Sequence, residues 1–168
     1  MELARLLPLL LLSAWLLPLG SFAAIVFAGP RMGRGGRKAA YLATGAIGAA
    51  LVLSLAALGA WLWHHPLAAD SQAVAPLSGD WYTLAEFGKL RLAIGYYIDA
   101  LTLGMFVMVT LISTCIHVYS IGYMREELGE VTDPLVRGSD GGPLVRPGRF
   151  PRFFQYLSLF CFSMLGLV

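Results

Sequence analysis

Five polar side chains recur along one otherwise apolar stretch: Asp99, Thr102, Thr110, Ser113 and His117. Phe106 fills the one gap, so the steps are three, four, four, three and four. That is the spacing of a single helix face. The opposite face is Leu, Ile, Val and Met. A carboxylate, hydroxyls and an imidazole in line share one chemistry, which is to hold ions or pass protons. Polar side chains on a membrane helix face protein or water rather than lipid. A proton or ion path is therefore one reading of the stripe. A structural reading competes at each residue. Asp99 falls in the first turn, where a carboxylate satisfies free N–H groups and the positive end of the helix dipole. His117 lies near the other end, where partial negative charge favours an imidazolium. The two are 18 positions apart, or about 27 Å of helix, and cannot form one site. Capping and interface roles are favoured over a relay for both.

The rest of the chain offers little other chemistry. It has no GxGxxG, Walker A, HExxH or CxxC pattern. No carboxylates pair at membrane depth, and no residue set suits a flavin, haem or iron–sulfur cluster. His64 and His65 are neighbours without a Cys or carboxylate at ligand spacing. Cys115 and Cys161 sit in apolar runs and read as small hydrophobic packers. No catalytic, cofactor-binding or metal-ligating residue is assigned. The basic residues lie at the ends of apolar segments and need no nucleic acid to explain them.

The elements that position the stripe follow from hydropathy. Of 168 residues, 58% are hydrophobic and only 13% charged, against about 25% charged in ordinary soluble domains. Apolar segments run from about Leu6 to Ala28, Ala39 to Trp63, Ile98 to Tyr123, and from Phe153 onward. About 20 apolar residues cross a bilayer, and only helices satisfy their own backbone there. Phe153–Val168 gives roughly 24 Å against roughly 30 Å of hydrocarbon. The expected fold is all-α: a polytopic transmembrane bundle of three full spans and a cut fourth, the front part of a longer protein. Residues 1–28 have a rival reading as a signal peptide, ending in Ser21-Phe22-Ala23-Ala24. Ala39, Ala43, Ala46, Ala50, Ser54 and Ala57 make one small-residue packing face.

Linkers set the orientation. Gly29–Lys38 carries Arg31, Arg34, Arg37 and Lys38 without an acid, and Met124–Arg152 carries Arg125, Arg137, Arg146, Arg149 and Arg152. The linker His64–Tyr97 has only Lys89 and Arg91 as bases. The positive-inside rule places the first and third linkers in the cytoplasm, with the N-terminus and His64–Tyr97 outside. Trp61, Trp63, Trp81, Tyr82, Tyr96 and Tyr97 fall where an outer aromatic belt belongs. Gly138–Gly148 reads as a Gly- and Pro-rich loop.

Two blocks carry a family resemblance. The first is Tyr97-Ile98-Asp99-Ala100-Leu101-Thr102 followed by Ile116-His117-Val118-Tyr119-Ser120-Ile121-Gly122-Tyr123-Met124. The second is Arg152-Phe153-Phe154-Gln155-Tyr156-Leu157-Ser158-Leu159-Phe160 with Ser163-Met164-Leu165. Together they resemble the N-terminal signature of the subunit L (chain 5) family of respiratory NADH:quinone oxidoreductase, complex I. Large subunits of multisubunit cation/proton antiporters share much of it. The linker Glu126–Pro151 is longer than in typical members. The glutamate and lysines of later helices that carry proton transfer in the family have no counterpart here.

The resemblance implies an integral membrane subunit that contributes to proton translocation coupled to electron transport from NADH to quinone. Residues 1–95 would be a helix pair with an outer linker, and 96–168 the start of the antiporter-like region. NADH, flavin, iron–sulfur clusters and quinone would belong to partner subunits, and this chain alone would be inactive. Its partners would be other membrane subunits of complex I and the bilayer, in a bacterial-type plasma membrane or a mitochondrial inner membrane. A sodium/proton antiporter subunit and a non-catalytic membrane scaffold are the alternatives.

Overall fold

The computed structural model of the chain describes residues 3–65, 75–137 and 141–168. Four helices dominate: α1 (Leu3–Ala28), α2 (Arg37–His64), α3 (Ala100–Tyr123) and α4 (Phe150–Leu165). Three helical stretches, Arg5–Ala28, Arg37–His64 and Ala100–Leu128, are long and apolar enough to cross a membrane. α4, at 16 residues, rises only about 24 Å. The chain is an integral membrane protein by these helices.

The expectation of an all-α chain is corrected by two antiparallel hairpins. β1 (Leu77–Phe87) pairs with β2 (Leu90–Ile98), and β3 (Glu130–Arg137) pairs with β4 (Pro143–Pro147). The first lies in the segment read as the linker His64–Tyr97, of which residues 66–74 fall outside the described residues. Its cause is local. Leu90-Arg91-Leu92-Ala93-Ile94 alternates with period two, the pattern of a strand. Gly88 takes φ +61° as the first of two turn residues, the place a type II′ turn gives to glycine. Arg91 reaches across to Thr83 Oγ1 at 3.0 Å and faces Asp80 and Glu86. The second hairpin takes up residues 143–147 of the expected Gly138–Gly148 loop; residues 138–140 are outside the described residues.

The helices alternate in direction, so the two arginine-rich linkers meet at one end of the bundle. There Phe150, Phe154, Ala39, Ala40, Ala43 and Ile25 are packed together. Gly36, at φ +74°, begins α2, and a Cβ on it would stand 2.8 Å from the Pro151 ring of α4. A glycine is needed there on both counts. Pro151 occupies the first turn of α4, where its missing N–H costs nothing. At the opposite end Leu7, Leu11, Trp61, Ile98, Leu103 and Leu165 form a second core.

The small-residue face of α2 is what lets its neighbours approach. Ala39, Ala43, Ala50, Ser54 and Ala57 are all buried, and Ala46 is half-buried. Ser54 Oγ donates to the Ala50 carbonyl at 2.7 Å, so its burial leaves no free hydroxyl hydrogen. Of the aromatic side chains expected in an outer belt, Trp61 is instead a core residue, its ring 4.5 Å from that of His65. Trp63 is exposed on α2, Tyr82 and Tyr97 are exposed on the hairpin, and Trp81 packs on Tyr96 at 5.7 Å.

Candidate functional site

The polar face of α3 begins outside the helix proper. Asp99 is the N-cap, with extended backbone (φ −128°, ψ −177°), and its Oδ1 accepts from the Thr102 N–H at 2.7 Å. That donor holds the Asp99 carboxyl below the usual carboxylate range, helped by the Thr102 hydroxyl and the Leu101 N–H. The physical cause is that donors to the charged form favour it.

Further along, the face turns inward. Phe106, Thr110, Ser113 and His117 are buried, while Leu111, Ile112, Ile116, Val118 and Tyr119 on the other side are exposed. This division places the hydroxyls and imidazole against α2 and α4 and leaves an exposed apolar surface on the other side. Thr110 Oγ1 donates to the Phe106 carbonyl at 2.7 Å, a bond that replaces lost hydration. Thr114 repeats the pattern on Thr110 at 2.7 Å. Ser113 is buried on the same face, and Cys161 is buried on α4. His117 Nδ1 lies 2.8 Å from the Ser113 carbonyl oxygen, and its ring is 6.3 Å from that of Phe154. His117 is 1% exposed, and its Nε2 has no hydrogen-bond partner among the described residues.

The stripe therefore divides. Ser113 and His117 are joined to each other, and His117 meets Phe154 of α4. Asp99 and Thr102 are joined at the far end, about 27 Å away along the helix. Three features escaped the sequence reading. Ser120, three positions beyond His117, is a further buried member of the face, and its spacing would have revealed it. Ser21 Oγ of α1 and Ser158 Oγ of α4 are hydrogen-bonded at 3.0 Å in the interior, a pairing that no local pattern signals. Thr44 Oγ1 of α2 is buried without a partner among the described residues.

The basic end of the bundle holds the best-defined polar contact. Glu127, in the short 3-10 turn Met124–Leu128 after α3, receives both guanidinium nitrogens of Arg146. The same carboxylate accepts from the Arg149 N–H at 2.9 Å. The exit from α3, the strand β4 and the start of α4 are thus tied at one side chain.

Comparison with known proteins identifies these elements. Residues 81–131, which take in most of the first hairpin, all of α3 and the Glu127 turn, match the family model described as NADH-Ubiquinone oxidoreductase (complex I), chain 5 N-terminus. NADH-quinone oxidoreductase subunit L of Neisseria meningitidis serogroup A is 37% identical over 87 residues, 52% of this chain and 10% of the relative. NAD(P)H-quinone oxidoreductase chain 5 of Synechocystis sp. is 36% identical over 122 residues, 73% of this chain and 14% of the relative. The chloroplastic NAD(P)H-quinone oxidoreductase subunit 5 of Nephroselmis olivacea is 35% identical over 127 residues, 76% of this chain and 15% of the relative. The chain thus spans only a small part of the length of the relatives it matches. With the family's N-terminal signature laid over the hairpin and the polar face of α3, the chain belongs to the subunit L / chain 5 family of complex I, as its N-terminal portion.

Proposed function

We propose that the protein carrying this chain is a membrane subunit of an NADH:quinone oxidoreductase and contributes to proton translocation driven by electron transfer from NADH to quinone. The observation that carries the reading is the family match over residues 81–131, whose helix has a polar face turned into the bundle. In this reading NADH, flavin, iron–sulfur clusters and quinone are held by partner subunits. The exposed apolar faces of α2 and α3 meet lipid and neighbouring membrane subunits. Residues 1–95 form a helix pair with its outer hairpin, and 96–168 begin the antiporter-like region. The two arginine-rich linkers, which meet at one end of the bundle, face the cytoplasm or its organellar equivalent. The chain alone inserts into a membrane but neither pumps nor exchanges ions.

The test is deletion of the coding segment for residues 81–131 in the host cell. Inverted membrane vesicles from that strain should lose NADH-driven acidification, while acidification driven by ATP persists. NADH-driven acidification at the parental rate, with no second copy of the gene, would refute the reading. Loss of sodium/proton exchange with NADH-driven pumping intact would favour the antiporter alternative.

A further inference from the structure

The polar face of α3 can be sorted by what each side chain already does. Asp99 is engaged by the Thr102 N–H. The Thr110 hydroxyl is spent on the Phe106 carbonyl, and the Ser113 hydroxyl is not among the buried unpartnered atoms. His117 differs. Its Nδ1 faces the Ser113 carbonyl oxygen at 2.8 Å. A carbonyl can only accept, so Nδ1 carries the ring hydrogen. Nε2 is then left with a bare lone pair, buried and without a partner among the described residues.

A second observation points to the same level of the bundle. The other buried side-chain atom without a partner among the described residues is Thr44 Oγ1. Thr44 is seven positions from the start of α2 at Arg37, and His117 six positions from the end of α3 at Tyr123. Those two helix ends are packed together through Ala39, Ala40, Ala43, Ile121 and Met124. The helices run antiparallel, so both atoms lie about 10 Å in from the arginine-rich end. Buried polar atoms are nearly always paired, and exceptions call for a reason.

We propose that His117 Nε2 is a proton-accepting site inside the membrane, and that His117 rather than Asp99 is the member of the α3 face that takes part in proton passage. The proposal rests on the function proposed above. A proton arriving from the aqueous phase forms an N–H bond at Nε2, while Nδ1–H stays on the Ser113 carbonyl. Release of a proton restores the neutral ring, and no electron moves. Among the buried described side chains of α1, α2 and α4, Cys161 is the one that titrates. No carboxylate there would trap the imidazolium. A site that holds its proton briefly is what a relay requires.

The experiment compares intact complexes carrying wild-type subunit, His117→Asn and His117→Gln. Asn keeps a donor toward the Ser113 carbonyl, and Gln keeps a polar atom near the position of Nε2. Neither titrates. Protons translocated per electron are measured in proteoliposomes, a ratio that does not depend on how much complex assembles. Both variants should assemble and fall below half the wild-type ratio. A wild-type ratio in either variant would overturn the proposal. Failure of both to assemble would also overturn it, since the residue would then serve folding. A wild-type complex that oxidises NADH without moving protons would remove the functional reading itself.

Discussion

Glu127 and Arg146 stand 19 positions apart in the chain and meet as a two-pronged ion pair, with N···O distances of 2.7 and 2.9 Å. The Arg149 N–H shares the same carboxylate, so one side chain fixes how α4 leaves the exit of α3. Replacing Glu127 by Gln keeps an acceptor and removes the charge. Both partners are partly exposed, at 21% and 31%, so the expected loss is only about 1 kcal/mol. Arg146→Lys should lose a similar amount because an ammonium cannot make the fork. Thermal unfolding of the detergent-solubilised protein measures this. Unchanged midpoints in both variants would show that the contact contributes nothing.

Asp99 gives a pH dependence of known sign. Its carboxyl is held below the usual range, chiefly by the Thr102 N–H. A lowered carboxyl contributes stability that is fully present above the ordinary Asp range and is lost as the pH falls through the lowered value. Asp99→Asn keeps an N-cap acceptor but has no such pH term. The gap between wild type and Asp99→Asn should therefore narrow as the buffer is acidified. A gap that stays constant or widens would contradict the capping role.

The same residue separates capping from relay in the whole complex. Asp99→Asn should assemble and retain most proton pumping, whereas Asp99→Leu removes the acceptor and should impair assembly. Normal assembly with pumping lost in the Asn variant would assign Asp99 the relay instead.

How much of this was readable beforehand depended on periodicity. The apolar runs marked α1, α2 and α3, and the three- and four-residue steps from Asp99 to His117 marked the inward face of α3. The hairpin β1–β2 had its signals too, in the alternation of Leu90–Ile94 and the turn glycine Gly88. The segment's place between two membrane spans suggests a linker, which is why the strand pattern is easily passed over. The pairing of Glu127 with Arg146 and of Ser21 with Ser158 was not legible. Each joins residues far apart in sequence, and only the packing of helices decides which of several candidates meet.

Gly36 is the tightest point between α2 and α4. Gly36→Ala places a side chain at φ +74° and 2.8 Å from the Pro151 ring. The strained backbone alone should cost about 1–3 kcal/mol. Combining it with Pro151→Ala relieves part of the clash but none of the backbone strain, so rescue should be partial. Full rescue, seen as a wild-type unfolding midpoint, would mean that the backbone there relaxes freely.

Orientation is tested by single cysteines in a background lacking Cys115 and Cys161. Lys38→Cys and Arg125→Cys should resist a membrane-impermeant reagent added to intact cells, and Ser78→Cys should react. The opposite pattern would invert the bundle.

Membership of a working NADH:quinone oxidoreductase can be checked by purifying an affinity-tagged copy of the protein, expressed in its own host, in mild detergent. The tagged protein should come away with flavin- and iron–sulfur-containing subunits and with NADH:quinone reductase activity. Purification with small membrane antiporter subunits and no NADH oxidation would contradict it.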